Sequence, residues 1–150
     1  MVSLTVFVDL ATLDTKSSPA TGKVHIRFGD VDFPDSDWDD FVVVVLAWWL
    51  DALRKLIEER VGVLMMFMDG PFTVILEPST QLDRWRATAQ RHGAPYRHLP
   101  EGIEINPRQL TASLGEAARA VLGECNRRGI KSLDVKNLAA ALDAFALALG

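Results

Sequence analysis

Alternation of apolar and polar positions dominates the first part of the chain. Val2, Leu4, Val6, Val8 and Leu10 alternate with Ser3, Thr5, Phe7 and Asp9. Successive side chains of a strand point to opposite faces, so this stretch predicts a half-buried β-strand. Lys23 to Phe28 alternates again, with Val24, Ile26 and Phe28 inward and Lys23, His25 and Arg27 outward. Between them, Thr12 to Gly22 is polar and holds the turn formers Asp14, Ser17, Ser18, Pro19 and Gly22. The two runs predict an antiparallel hairpin with a long loop.

The period then changes. Phe41 to Leu50 is apolar without interruption, and the pattern continues through Asp51 to Glu59 at helical spacing. The valines at 42 to 45 favour a strand by propensity, but the continuation favours one helix of about 20 residues. At about 100° per residue, Val42, Val45, Leu46, Trp49, Leu53, Leu56 and Ile57 share one wide face, opposite Asp40, Asp51, Arg54, Lys55 and Glu58. Asp37 is the expected N-cap, which places Asp39 and Asp40 at the positive end of the helix dipole. Val44, Ala47 and Trp48 fall in or beside the polar sector, so another part of the chain or another protein is expected to cover them.

Val61 to Met68 is short and continuously apolar, which predicts a central strand buried on both faces. Asp69-Gly70 is a tight-turn signal leading to a second strand, Phe72 to Glu77, ended by Pro78-Ser79. Leu82 to Gln90 reads as a strand with Trp85, Ala87 and Ala89 inward, a short helix being the alternative, and Ile103 to Ile105 as a brief edge pairing. Asn106-Pro107 starts a helix as N-cap and first residue. Its stripe is Leu110, Leu114, Ala117, Ala118, Val121, Leu122 and Cys125, and Arg127-Arg128-Gly129 ends it. A last helix, capped by Asp134, carries Val135, Leu138, Leu142, Phe145 and Leu149. The order ββα-βββ-αα predicts an α+β fold: an antiparallel sheet of four to six strands packed by a long apolar central helix and two carboxyl-terminal helices.

Composition narrows this little: 150 residues, 49% hydrophobic and 24% charged, suit one globular domain over residues 1–150. Cys125 stands alone, so no intrachain disulfide forms and a reducing compartment is favoured. The amino terminus has no basic residue before Lys16 and does not read as a signal peptide. The ten-residue apolar run is half of the ~20 residues a membrane span needs. A soluble, cytoplasmic protein is expected. Charge changes the picture more, because Asp30, Asp32, Asp35, Asp37, Asp39 and Asp40 lie in one segment without Lys or Arg. The net charge of −4 is therefore −6 over residues 30–40 and +2 over the rest. That total disfavours nonspecific nucleic-acid binding.

The aspartates invite a calcium-loop reading, since hard cations take several carboxylate oxygens. A register starting at Asp35 aligns Asp37 and Asp39 but puts Asp40 where Gly is needed and Leu46 where a bidentate Glu is needed, so the pattern fails. His25, His92 and His98 are scattered and read as surface residues, and Cys125 as a buried small hydrophobe. No nucleophile elbow, phosphate loop or dinucleotide fingerprint occurs, so no cofactor or metal is expected. Two features remain. Asp69 is placed to project from a hairpin tip, and Arg84, Arg86, Arg91 and Arg97 with Trp85 and Tyr96 form a basic stretch expected to pair with the acidic turn or to rim a protein interface.

The segment from Phe33-Pro34-Asp35 through Trp38-Asp39-Asp40 and Phe41 to Leu50, with Phe67-Met68-Asp69-Gly70-Pro71-Phe72 after it, resembles small bacterial α+β proteins, some of which are immunity partners of polymorphic toxins. The resemblance covers residues 33–72 and implies a non-catalytic protein that neutralises a cognate toxin by direct binding. The partner would be a toxin domain with a basic surface, and the expected contact residues are Asp30, Asp32, Asp35, Asp37, Trp38, Asp39 and Asp69. Two other readings stand beside it: an enzyme using Asp69 with the Asp35–Asp40 cluster, and a structural homodimer covering Val44, Ala47 and Trp48.

Overall fold

β1 (Leu4–Asp14) and β2 (Thr21–Phe28) form the expected antiparallel hairpin, with Leu4 opposite Phe28 and Asp9 opposite Lys23, in a computed structural model that describes residues 1–150. The loop is shorter than the polar composition implied, because β1 continues past Leu10. Its register shifts between Asp9 and Asp14, where the Thr12 hydroxyl donates to the Asp9 carbonyl at 2.7 Å and accepts from the Lys23 amide at 2.9 Å. A side chain thus carries the pairing across the irregularity. β3 (Val31–Phe33) and β4 (Asp39–Asp40) both pair with β2, the first along Ile26–Phe28 and the second along Gly22 and Lys23.

The long helix is α1 (Val42–Glu59), ended by Arg60 in the left-handed conformation at φ 54°. Its cap differs from expectation. Phe41 occupies the N-cap position with no side-chain cap, and the first turn holds no acidic residue. Asp37, Asp39 and Asp40 lie before the helix because β2 engages the backbone from Trp38 to Asp40, and a residue paired as a strand cannot also open a helical turn.

After α1 come β5 (Val63–Met66), β6 (Phe72–Pro78), β7 (Trp85–Arg91), β8 (Ala94–Pro95) and β9 (Ile103–Ile105). They form a second antiparallel sheet in the order β5-β6-β7, with β8 and β9 both on β7. The strands therefore divide between sheets of four and five, joined by a parallel bridge of Val2 to Ile105, where the Val2 amide reaches the Glu104 carbonyl at 3.0 Å. The stretch expected over Leu82–Gln90 is a strand only from Trp85, with Trp85, Ala87 and Ala89 inward, and Leu82 and Asp83 form the turn before it. β5 corrects the expectation of a doubly buried central strand. It is an edge strand with Val63 and Met65 buried and Leu64 and Met66 half exposed, and the Met66 carbonyl accepts the Trp49 indole N–H at 2.8 Å.

α2 (Pro107–Arg127) and α3 (Leu133–Leu149) complete the chain. Asn106 caps α2 by accepting from the Arg108 amide at 2.9 Å, as its sequence implied. Ser132 rather than Asp134 caps α3, accepting from Val135, and Asp134 sits in the first turn instead. α1 packs against α2, α3, β2, β5 and β6, which explains why Val43, Ala47 and Leu50 are buried outside the expected face. A helix that is apolar nearly all round is one surrounded by protein. α3 runs along Val44 and Ala47, so the chain itself covers most of that sector, while Trp48 keeps 40% of its surface exposed. No helix is long and apolar enough to cross a membrane.

Candidate functional site: a fastened acidic turn

From Phe33 to Phe41 the chain leaves β3, turns at a cis Phe33–Pro34 bond and returns to β2. Asp35 organises the turn by accepting the Asp37 amide at 2.8 Å, the local hydrogen bond that short acidic side chains make two residues on. The Trp38 carbonyl then receives the Val24 amide at 3.0 Å.

Asp40 holds the turn to the rest of the molecule. It is 2% exposed and accepts three donors: the Trp38 indole at 2.9 Å, the Phe41 amide at 2.7 Å and the Asp69 amide at 3.2 and 3.3 Å to its two oxygens. Burial raises its pKa, the three hydrogen bonds oppose that rise, and the nearby Asp69 charge adds to it. One carboxylate thereby joins the turn, the start of α1 and the tip of the β5–β6 hairpin. Packing reinforces the joint. The Trp38 ring meets Phe72 and Phe67 edge-on, at 5.2 and 6.2 Å between centroids. Gly70, at φ +109°, lies so close to Trp38 that a Cβ there would approach the indole to 2.8 Å.

The expected contact residues have different fates. Asp35, Asp37 and Asp39 are exposed, and so is Asp69 at the hairpin tip. Asp37 pairs with Lys23 at 3.1 Å, an exposed pair of little energetic weight. Asp30 is exposed beside Gly29 in the β2–β3 turn. Asp32 is occupied structurally, since Arg27 Nε donates to it at 2.8 Å and holds its carboxyl below the usual range. His25 corrects its surface assignment. It is buried on the outer side of β2, stacked on Phe7 at 5.4 Å, with Nε2 3.0 Å from Asp32 but not aligned for a hydrogen bond.

The site thus brings Asp40 and Asp69 together and leaves Asp35, Asp37 and Asp39 facing solvent around Trp38. Asp40 is the residue that sequence reasoning misplaced. The available signal was Trp38-x-Asp40, which in a strand puts indole and carboxylate on one side. No group of three or more His, Cys, Asp or Glu side chains is gathered to hold a metal ion, and none of the four cavities is lined by residues 30–40 or Asp69.

The basic stretch does not pair with the acidic turn, whose partners are Lys23 and Arg27 on β2. Arg91 lies 5.9 Å over the Phe72 ring, and Arg91, Pro95, Tyr96, Arg97 and His98 line a shallow basin of about 390 Å³. Cys125 is fully buried, and burial pushes its thiol up. Comparison with protein-family models, with curated proteins and with solved structures found no match for this chain.

Proposed function

We propose that this chain is a protein-binding module whose acidic turn docks a basic protein surface, most concretely as an immunity protein that neutralises a bacterial toxin domain by direct binding in the cytoplasm. One observation carries the reading. Asp35, Asp37 and Asp39 stay exposed on a turn whose backbone is held by Asp40, Trp38 and the hairpin tip. Fixed like charges on a small surface steer an oppositely charged partner, and a turn that is already ordered loses little freedom on binding.

The test is association with a toxin domain encoded beside this chain's own reading frame. Asp35→Lys, Asp37→Lys and Asp39→Lys together should slow association by about 10-fold or more at low salt. The difference should shrink as ionic strength rises. An unchanged on-rate would overturn the reading.

The catalytic alternative gains one observation, the Asp69 amide bound to the Asp40 carboxylate. That contact is explained by fastening the hairpin, and the carboxylates border no cavity in which a substrate would be enclosed.

A further inference from the structure

The densest run of exposed large apolar side chains along the chain is Val61, Leu64, Met66 and Met68, 39, 50, 46 and 44% exposed, four within eight residues, while the others are spread over Met1, Phe7, Trp48, Leu82 and α3. Leu64 and Met66 share the outer face of β5, and Met68 continues their phase because the Phe67 amide still pairs with the Phe72 carbonyl at 3.2 Å. Ile75, opposite Leu64 on β6, widens the stripe. Its end is the acidic turn, since Asp69 follows Met68 and is bonded to Asp40 through its amide.

We propose that Leu64, Met66 and Met68, running into the acidic turn, form a docking surface for a basic amphipathic helix of a partner protein. This rests on the acidic-turn reading and names what the partner presents to it. The spacing fits such a helix. Alternate strand residues repeat about every 6.6 Å, and helical residues four apart repeat about every 6 Å, so three successive apolar side chains of one helix face meet three of the stripe. Met adapts its shape to irregular apolar surfaces, which suits such a contact. Charge selects the partner: past Met68 the helix would meet the exposed Asp69, which is fastened through its amide to the acidic turn, so Lys or Arg are favoured there and Asp or Glu repelled. Backbone pairing of an added strand is disfavoured, because the Met66 carbonyl is occupied by Trp49.

The test uses the intact chain and two synthetic peptides of identical Leu and Lys content, one with all Leu on one helical face and one in scrambled order. The segregated peptide should bind at least 10-fold more tightly than the scrambled one and shift the Met66 and Met68 methyl resonances. The variant L64S/M66S/M68S should lose that preference without losing salt-dependent attraction to both peptides, and M66S alone, in case the triple variant misfolds, should weaken it several-fold. Equal binding of both peptides, or no binding of either, would overturn the proposal. Salt-insensitive self-association of the unmodified chain that disappears in M66S would assign the stripe to a second copy and overturn it too. The acidic-turn reading fails separately: D35K/D37K/D39K would then bind the segregated peptide as tightly as the parent, with the methyl shifts intact.

Discussion

The molecule has two segments dense in like charge, and they are built differently. In the acidic turn three of the six aspartates are tied down: Asp35 accepts a backbone amide of its own turn, Asp32 is held by the Arg27 side chain, and Asp40 collects three donors. In the basic segment Arg86, Arg91 and Arg97 stand exposed on β7 and the following hairpin, and Arg91 has an aromatic ring as its neighbour. The first carries its charges on short side chains of a fastened backbone, while the second supplies charge on long, exposed side chains. Only the first is held in place by contacts within the chain, so a ligand bound there would cost it less freedom.

Removing Asp40 should break the comparison most severely. D40A leaves the Phe41 and Asp69 amides and the Trp38 indole without their acceptor, and should destabilise the protein by about 3 kcal/mol. D40N keeps one acceptor oxygen but turns an NH2 toward the donors, and should cost about half as much. Chemical denaturation measures both. A D40A variant within 0.5 kcal/mol of the parent, roughly the scatter of neutral surface changes, would show that the turn is fastened by something else.

Gly70 comes next. G70A combines a positive φ with a Cβ driven against the Trp38 ring, so about 2 kcal/mol is expected, accompanied by a change in Trp38 fluorescence. Loss of stability without a change at Trp38 would detach the glycine from the site.

Most of the fold was legible because it rests on periodicity. The α2 stripe from Leu110 to Cys125 is buried almost as read, and the inward residues of β7 are the three expected. What failed was local competition between elements. Asp37 to Asp40 has the composition of a helix start, but Gly22 and Lys23 claim Asp39 and Asp40 as strand partners, a contact that no local pattern encodes. β5 failed for a related reason. A continuous apolar run does not distinguish a strand buried on both faces from an edge strand with an apolar outer face. At the site, exposed aspartates could be named from sequence, but the buried one could not while the segment was read as a helix start, because Trp38 and Asp40 share a side only in a strand.

Acid titration sharpens the contrast at smaller amplitude. Burial raises Asp40 above its ordinary 3.8, so the stability it contributes is fully present below 3.8 and lost as pH rises through the raised value. Asp32 runs the other way: lowered by Arg27, it contributes above 3.8 and loses that contribution as pH falls through its lowered value. Glu124, held at about 2 by Arg127 and Arg128, behaves like Asp32 between 4.5 and about 2. Removing Asp40's titration with D40N should therefore make stability fall more steeply on acidification to pH 4, whereas D32N and E124Q should flatten the loss at lower pH. Melting temperatures from pH 7 to 2 check all three.

The smallest effect is expected from the basic segment, and it tests the comparison from the other side. Arg91 and Arg97 are exposed, Arg97 makes no ion pair, and the Arg91–Phe72 separation of 5.9 Å is near the outer limit of a cation–π contact. R91A/R97A should change unfolding free energy by less than about 0.5 kcal/mol. It should also leave amide exchange in the acidic turn unchanged, because no carboxylate there depends on either cation. A loss above about 1 kcal/mol, or faster exchange at the Asp69 amide, would mean that the basic segment is fastened too, through Phe72 to Trp38. The two charged segments would then form one organised surface, and the partner's complement would have to carry both signs.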